Sequence, residues 1–398
     1  MKQNLFLLTY LAFPILCCCG SKKEHQNKGI AAINAKNEVQ TPIQINLPKK
    51  GKRDLNVSFF ADTIVYIPLE TNENSFLRRV TNVRMNDSII VISDMRRILL
   101  FRHDGTFVRQ IGHRGNGPKE YGTIANCQLY KDTIYVAHKR SITKYTLDGQ
   151  FQGTKKLPHP PGFFTLTSDG AIALYSEHDG KVYFYDPTFN LKETLVVENS
   201  VFSDRSKFEI VDPADLFFQI SRDKLLFTNY KSDTIWDISG AKKKVAYILD
   251  LKDKLLPWDK QVEYFKGDFK YFQKAAEPYQ KVNLKEISDY LFILQKSWGT
   301  GKLNTIYVHN LVKNTTDAFN SDYIYDDLIG NIKLQARPSF STDEAFITAI
   351  KATELIESLE GLNSKEPIND AKHLSWRVRM SKVKYDDNPV LVVIKPKK

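Results

Sequence analysis

A segment of about forty residues recurs along this 398-residue chain and constrains the fold more than any other feature. Four copies open at Asp87, Asp132, Asp169 and Asp223, and each contains three short apolar stretches separated by turns. Within these stretches apolar and polar residues alternate, which is typical of half-buried strands. The repeat therefore predicts a small antiparallel sheet that is used several times along the chain.

Tight turns in the repeat support this interpretation. Asp104-Gly105 and Asp148-Gly149 lie between apolar stretches, and Asp-Gly favours hairpins because both central positions of the preferred turn need positive φ. The aromatic residues before the turns, Phe101, Tyr145 and Tyr185, are 44 and 40 residues apart. This spacing matches the four-stranded blade of a β-propeller, and the 12% aromatic content also favours strands.

The number of blades depends on how the weaker copies are counted. A fifth copy spans residues 291–319, and a sixth requires strands from both ends of the chain, within residues 57–70, 339–350 and 388–397. Joining the two ends in one blade would close the ring and remove an exposed sheet edge. We therefore expect an all-β, six-bladed β-propeller over residues 54–398, closed by N- and C-terminal strands, with seven blades as the alternative.

Two stretches depart from the strand pattern and indicate helical insertions. Residues 256–287 carry Val262, Phe265, Phe269 and Phe272 at helical spacing, and residues 351–384 contain a second partly helical segment. Packing against the propeller explains the aromatic stripe. The alternative hypothesis is that these insertions dock a partner protein of the cell envelope.

The N-terminus predicts export. Residues 1–18 combine Lys2 with an apolar run from Leu5 to Leu16 that is too short to span a bilayer, which is typical of a signal peptide. The run ends in three cysteines and resembles a lipobox, in which Cys19 is the lipidated residue and Cys18 the alternative. A plain signal peptide cleaved near the same place also remains open. Residues 19–53 are mostly polar and predict a flexible tether.

A lipidated cysteine implies attachment to a membrane by the lipid alone. We expect an outer-membrane lipoprotein of the cell envelope, and Lys22 and Lys23 after the cysteine favour the periplasmic side over surface exposure. Cys127 is then the only other cysteine, so no intrachain disulfide is expected. Its small and apolar neighbours indicate a buried, inert thiol.

The stretch IGHRGNGPKEYG, residues 111–122, concentrates the residues that could bind a ligand. It lacks the Gly-Lys-Ser/Thr of a P-loop and the helix of a dinucleotide fold, so we do not expect a phosphate cradle. A structural corner between blades is one interpretation. In the other, His113, Arg114 and Lys119 meet an anionic or polyhydroxylated ligand, Glu120 accepts hydrogen bonds and Tyr121 stacks.

These features together resemble a known family. The lipobox, the tether, the glycine loop, a DTIWDI strand at residues 233–238 and the closing DNPVLVVIKPKK are similar to the six-bladed β-propeller lipoproteins of Bacteroidota, relatives of NHL-repeat proteins. The resemblance covers residues 50–398 and implies an envelope protein for which glycan or peptide binding is the usual expectation. It transfers no catalytic residues to this chain.

The sequence contains no motif that defines catalytic chemistry. The eight histidines form no metal-binding spacing, so neither a metal nor a cofactor is expected. Nucleic-acid binding is not expected either, because the 57 Lys and Arg are spread among 46 acidic residues. We expect a monomeric, non-catalytic module that binds a glycan, a peptide or an envelope protein. The alternative is a polysaccharide hydrolase or lyase with its site at the mouth of the central channel.

Overall fold

The computed structural model describes residues 42–49, 51–52, 54–176, 179–197, 217–221, 224–228, 232–251, 254–257, 269–299, 303–336, 340–342, 344–363 and 371–397. The predicted signal peptide, the lipidation site at Cys19 or Cys18, and most of the predicted tether lie outside these residues. The described part of the chain is all-β and forms seven sheets, which are the blades of a β-propeller.

Five blades follow one another along the chain. Blade 1 consists of Asn82–Met85, Ile90–Ser93, Ile98–Phe101 and Phe107–Ile111. Blade 2 consists of Ile124–Tyr130, Thr133–His138, Ser141–Thr146 and Phe151–Lys156. Blade 3 consists of Phe163–Leu166, Ile172–Ser176, Lys181–Tyr185 and Leu191–Val196. Blade 4 consists of Phe217–Ser221, Lys224–Thr228, Thr234–Asp237, Lys244–Leu249 and Ile43–Ile45. Blade 5 consists of Gln280–Ile287, Tyr290–Ser297, Leu303–Asn310 and Thr315–Phe319.

The last two blades combine strands from the N-terminal and the C-terminal parts of the chain. Blade 6 consists of Lys333–Gln335, Tyr323–Tyr325 and Leu55–Asn56, and blade 7 of Phe346–Ile350, Val390–Pro396 and Ala61–Pro68. The helices of the described residues are Val57–Phe60, Phe269–Ala276, Ala352–Asn363 and Ala371–Met380, with a 3₁₀ turn at Ser239–Ala241.

The prediction of six blades is wrong, and the seven-bladed alternative is correct. Blade 6 was missed because its strands are two or three residues long and show no repeat pattern. Its outermost strand, Leu55–Asn56, pairs in parallel with Tyr323–Tyr325 from the far end of the chain. A unit assembled in this way leaves no signal at the forty-residue period.

Blade 7 closes the ring with strands from both ends of the chain, as the sequence indicates. Val390–Pro396 lies between Phe346–Ile350 and Ala61–Pro68 and pairs antiparallel with both. The buried side chain of Asn388 binds the segment that leads from blade 7 into blade 1. Its Oδ1 accepts from Leu77 N at 2.7 Å, and its Nδ2 donates to Ser75 O at 2.9 Å.

Part of the segment that we expected to be a tether is a strand. Ile43–Ile45 pairs in parallel with Tyr247–Leu249 at the outer edge of blade 4, and Ile45 is fully buried. Propeller structure in the described residues therefore begins well before residue 54.

The predicted insertion at residues 256–287 is helical only in part. Phe269–Ala276 is a helix, and Phe272 packs edge-on against Trp298 with ring centroids 6.3 Å apart. Residues 280–287, however, form the inner strand of blade 5. Val262 and Phe265 lie outside the described residues.

The second insertion contains two helices, Ala352–Asn363 and Ala371–Met380. Trp376 is buried against Tyr66 of blade 7, with ring centroids 5.1 Å apart. Leu374 and Val378 on the same helix are 50% and 63% exposed. Docking of an envelope partner through these helices stays a prediction.

The two ends of the propeller differ in the kind of connection they carry. In blades 1 to 5 the inner strand of each blade contacts the inner strand of the next described neighbour, so these strands surround the central channel. We call the end at which the inner strands begin the top face, which carries the connections between blades. The bottom face carries the tight turns after the inner and third strands.

Candidate functional site on the top face

The glycine loop, residues 111–122, connects blade 1 to blade 2 on the top face. Its first glycine, Gly112, has φ +56°, and an added Cβ would lie 2.8 Å from the Tyr145 ring and 2.9 Å from the Tyr121 ring. Because both the backbone angle and the space exclude a side chain, glycine is required here. This part of the loop is the structural corner that one interpretation predicted.

The next two glycines, Gly115 and Gly117, surround a carboxylate of the loop itself. Gly117 N donates to Glu120 Oε2 at 2.7 Å, and a Cβ added at Gly115 would lie only 1.9 Å from the same oxygen. The loop thus resembles an anion cradle because it binds an anion, and that anion is Glu120. In this structure the carboxylate occupies the place that a phosphate would need.

Tyr121 is a core residue and does not lie on the surface. Its side chain is fully buried, and its hydroxyl donates to Ile111 O at 2.9 Å. Its ring meets Tyr145 edge-on with centroids 6.0 Å apart, and burial raises the pKa of its hydroxyl. The predicted stacking of Tyr121 on a ligand is incompatible with this position, so its role in the loop is structural.

The remaining predicted residues lie on the surface. His113, Arg114 and Lys119 are exposed, and Gln110 Nε2 lies 3.2 Å from His113 Nδ1. The backbone of Lys119 is held by Tyr145, whose hydroxyl donates to Lys119 O at 2.8 Å. The fold thus fixes the loop from within and leaves these three side chains directed to solvent.

Basic residues from neighbouring segments join them on the top face. The segments of blades 1 and 2 that lie there are residues 79–81, 94–97, 112–123, 139–140 and 155–162, which carry nine Lys or Arg but only two acidic residues. We call these nine residues the basic cluster: Arg79, Arg96, Arg97, Arg114, Lys119, Lys139, Arg140, Lys155 and Lys156. All of them are exposed except Arg97, which is half-buried.

Both acidic residues in these segments are engaged within their own loops. Asp94 is buried, and its Oδ1 accepts from the backbone of Arg96 at 3.0 Å and of Arg97 at 2.7 Å. Glu120 is held by the glycine loop. Apart from the 3.6 Å contact between Asp94 Oδ2 and Arg97 Nε, no described ion pair involves the basic cluster. Its charge is therefore available to an external anion.

The bottom face of the same two blades has the opposite balance. Its turns, residues 86–89, 102–106, 131–132 and 147–150, carry four aspartates against Arg102 and Lys131. Several of these aspartates hold their own turns, as Asp104 Oδ1 does by accepting from Thr106 N at 2.8 Å. Blades 1 and 2 are thus positive at the top and negative at the bottom.

A stacked aromatic pair lies beside the basic cluster. His159, in the connection from blade 2 to blade 3, stacks on Tyr183 with ring centroids 4.8 Å apart and planes 25° apart. The Tyr183 hydroxyl donates to Asp179, and burial followed by this bond raises the pKa of Tyr183. His159 lies in the same connection as Lys155 and Lys156, so the pair adds a half-buried aromatic surface to this connection.

The sequence revealed only one part of this site. His113, Arg114 and Lys119 were predicted, but Arg79 and the three adjacent basic pairs Arg96-Arg97, Lys139-Arg140 and Lys155-Lys156 were not. Each pair lies at a strand end, and all three share the top face. Dibasic pairs recurring at strand ends are the signal that could have revealed the cluster.

The fold and a match to a known family define the class of protein. The chain is a seven-bladed β-propeller, and it belongs to the family described as Domain of unknown function (DUF4934), whose model matches residues 42–395. No curated protein matches the sequence. Among the described residues, no helix is long and apolar enough to cross a membrane.

Solved structures share the fold at low identity. A Bacteroides fragilis protein named as a candidate exported protein is 16% identical, with a TM-score of 0.68 over 90% of this chain and 100% of the other. A DUF4221 protein of Bacteroides vulgatus is 11% identical, with a TM-score of 0.48 over 85% of this chain and 97% of the other. At 16% identity, the likeness to the Bacteroides fragilis structure shows the fold alone.

Proposed function

We propose that this protein is a non-catalytic binding module of the cell envelope that holds an acidic polysaccharide on its top face. The observation that carries the proposal is the basic cluster, in which nine Lys and Arg side chains lie together while the two carboxylates of the same segments, Asp94 and Glu120, are held within their own loops. A surface with one sign of charge concentrates ligands of the other sign and speeds their association.

The proposed location follows from the N-terminal sequence. Lipid on Cys19, or on Cys18, anchors the protein to the outer membrane, on the periplasmic side in preference to the surface. The name of the structurally similar Bacteroides fragilis protein, a candidate exported protein, supports export. An anchored module with a positive face would retain an anionic polymer close to the membrane.

An acidic polysaccharide fits this surface better than a neutral one. Arg and Lys bind carboxylate and sulfate groups through charge-assisted hydrogen bonds, and a cluster of nine offers a polyanion several such contacts at once. The stacked pair of His159 and Tyr183 adds an aromatic surface of the kind that packs against sugar rings. Binding should weaken with salt, because exposed charges are screened over about 8 Å at physiological ionic strength.

Two variants of equal charge test the proposal. The top-face variant carries Arg114→Gln, Lys119→Gln, Lys155→Gln and Lys156→Gln. Its matched control changes four exposed bottom-face residues in the same way, namely Arg102→Gln, Lys131→Gln, Lys313→Gln and Lys384→Gln. Affinity for polygalacturonate and for neutral dextran is measured at several salt concentrations, and the polymer is sized after incubation.

We expect the top-face variant to bind polygalacturonate at least about tenfold more weakly than wild type, while the control changes little. Equal losses in both variants would mean that net charge alone drives binding and would refute the site. Equal binding to dextran would refute the preference for acidic polymers. Shortening of the polymer would replace the binding module with the alternative, a polysaccharide hydrolase or lyase.

A further inference from the structure

A belt of polar side chains links the inner strands of blades 1, 2 and 3 around the channel. Asn82 Nδ2 donates to Asn126 Oδ1 at 3.2 Å, and Arg84 Nε donates to Gln128 Oε1 at 2.8 Å. The two pairs occupy equivalent positions of the repeat, 44 residues apart. Asn126 and Gln128 in turn donate to Phe164 O at 3.3 Å and 3.0 Å. The belt thus fastens three neighbouring blades together.

Arg84 carries the only positive charge among these four side chains, and no counter-charge pairs with it in the part of the chain that the structure describes. Its Nη1 donates to Val83 O at 2.7 Å, and no described carboxylate lies within ion-pair distance. Burial lowers the pKa of Arg84, yet a guanidinium stays protonated at neutral pH. Arg84 is half-buried, and a partly desolvated cation without a nearby anion is unfavourable, so this position suits an anionic group supplied from outside the chain.

Asn82 adds an acceptor that no described group satisfies. Asn126 must direct its Nδ2 toward Gly162 O and Phe164 O, which leaves its Oδ1 to accept from Asn82 Nδ2. This orientation fixes Asn82 Oδ1 as a buried oxygen without a hydrogen-bond partner. Because alternate residues of a strand share a face, Asn82 and Arg84 lie on one side of the inner strand, about 7 Å apart along it.

We propose that the channel wall between blades 1 and 2 binds a small hydroxylated carboxylate, with Arg84 holding the carboxylate and Asn82 Oδ1 accepting from a hydroxyl. Asn82 begins the inner strand, so the site is reached from the top face. The two polar groups require a ligand that carries both an anion and a donor, as a uronic acid does. This site consists of inner-strand residues and does not depend on the basic cluster.

The test uses the full chain and D-glucuronate as the probe, with D-glucose in sodium chloride of equal ionic strength as the control ligand. Calorimetry and thermal unfolding give the affinity and the shift in Tm. The variants are Arg84→Gln, which removes the charge, Arg84→Lys, which keeps it, and Gln128→Glu, which supplies a carboxylate beside Arg84 Nε. Arg102→Gln, on the bottom face, is the matched control.

We expect saturable glucuronate binding by wild type and by Arg102→Gln, with a rise in Tm that glucose does not produce. Arg84→Gln and Gln128→Glu should weaken binding at least about tenfold, and Arg84→Lys should weaken it less. Gln128→Glu also loses the bond to Phe164 O, so its affinity and not its Tm is the readout.

Three outcomes would overturn the assignment. The first is the absence of saturable binding, or binding of glucose as strong as that of glucuronate. The second is unchanged affinity in Gln128→Glu, because an internal carboxylate must compete for Arg84 if the site is correct. The third is loss of glucuronate binding in the top-face variant, which would place the carboxylate on the basic cluster. Retention of glucuronate binding by the top-face variant supports the channel site, whatever the result with polygalacturonate.

Discussion

Replacing Gly115 by alanine tests whether the glycine loop folds around its own carboxylate. The added Cβ would lie 1.9 Å from Glu120 Oε2 and 2.5 Å from Glu120 Cδ, so the carboxylate must leave its position. It then loses the 2.7 Å hydrogen bond from Gly117 N. A hydrogen bond to a charged group contributes about 1.5–3 kcal/mol to stability, which sets the expected loss.

This loss corresponds to a fall in Tm of about 2–4 °C for a domain of this length, because the entropy of unfolding is about 2.1 cal/mol/K per residue. Urea unfolding of the full chain measures the free energy directly. Gly162→Ala is the matched control, since a Cβ there meets no atom within 4 Å. Both variants restrict the unfolded chain equally, so that contribution cancels in the comparison.

A double-mutant cycle with Glu120→Ala gives the decisive result. Without the Glu120 carboxylate, Gly115→Ala should cost close to nothing, because the atoms that it would displace are gone. The reasoning is refuted if Gly115→Ala costs the same with and without Glu120. It is equally refuted if Gly115→Ala is as harmless as Gly162→Ala, since the loop could then relax without losing stability.

Three further predictions concern single groups. Tyr121→Phe should lower the free energy of unfolding by about 0.5–1.5 kcal/mol through loss of the bond to Ile111 O, and an unchanged urea midpoint would contradict this. Burial raises the pKa of Cys127 to about 12. In a variant whose N-terminal cysteines are replaced by serine, this thiol should therefore resist alkylation at pH 8 until denaturant is added. Rapid labelling of the native protein would contradict its burial. Hydrogen bonds within their own turns lower the pKa of Asp104 and Asp148, so the stability they contribute is present above about pH 4 and is lost as the pH falls through their lower folded values. Replacing Asp104 and Asp148 by asparagine should therefore make Tm depend less on pH in this acidic range. An unchanged slope of Tm against pH would contradict a stabilising role of the two carboxylates.

The repeated blades could be predicted from sequence because each contains strands of four or more residues and a tight turn of recognisable chemistry. Asp104-Gly105 and Asp148-Gly149 indicate hairpins locally, without information from distant residues. Blade 6 lacks such signals, since Tyr323–Tyr325 and Lys333–Gln335 are each only three residues long. Its existence depends on Leu55–Asn56, which is distant in sequence, so a count of repeats gives six.

The site was predicted less completely than the fold, for a different reason. A loop has no periodicity, so the sequence does not show that Tyr121 points inward while Lys119, two residues earlier, points outward. The difference arises from tertiary packing, because the Tyr145 ring and hydroxyl fix the two residues from blade 2. Likewise, the basic pairs become one surface only when strand order brings their segments together at the top face.

The opposite charges of the two faces have a common origin in the backbone. Tight turns on the bottom face favour side chains that accept hydrogen bonds within the turn. Asp104 accepts from the backbone of Thr106, and Asp148 accepts from the side chain of Gln150. The longer connections on the top face do not impose this requirement on most positions, and their few carboxylates, Asp94 and Glu120, bind backbone amides inside the loops. In blades 1 and 2 the top face therefore carries positive charge that no described carboxylate outside its own loop offsets, and the proposed binding of an anionic polymer rests on this charge.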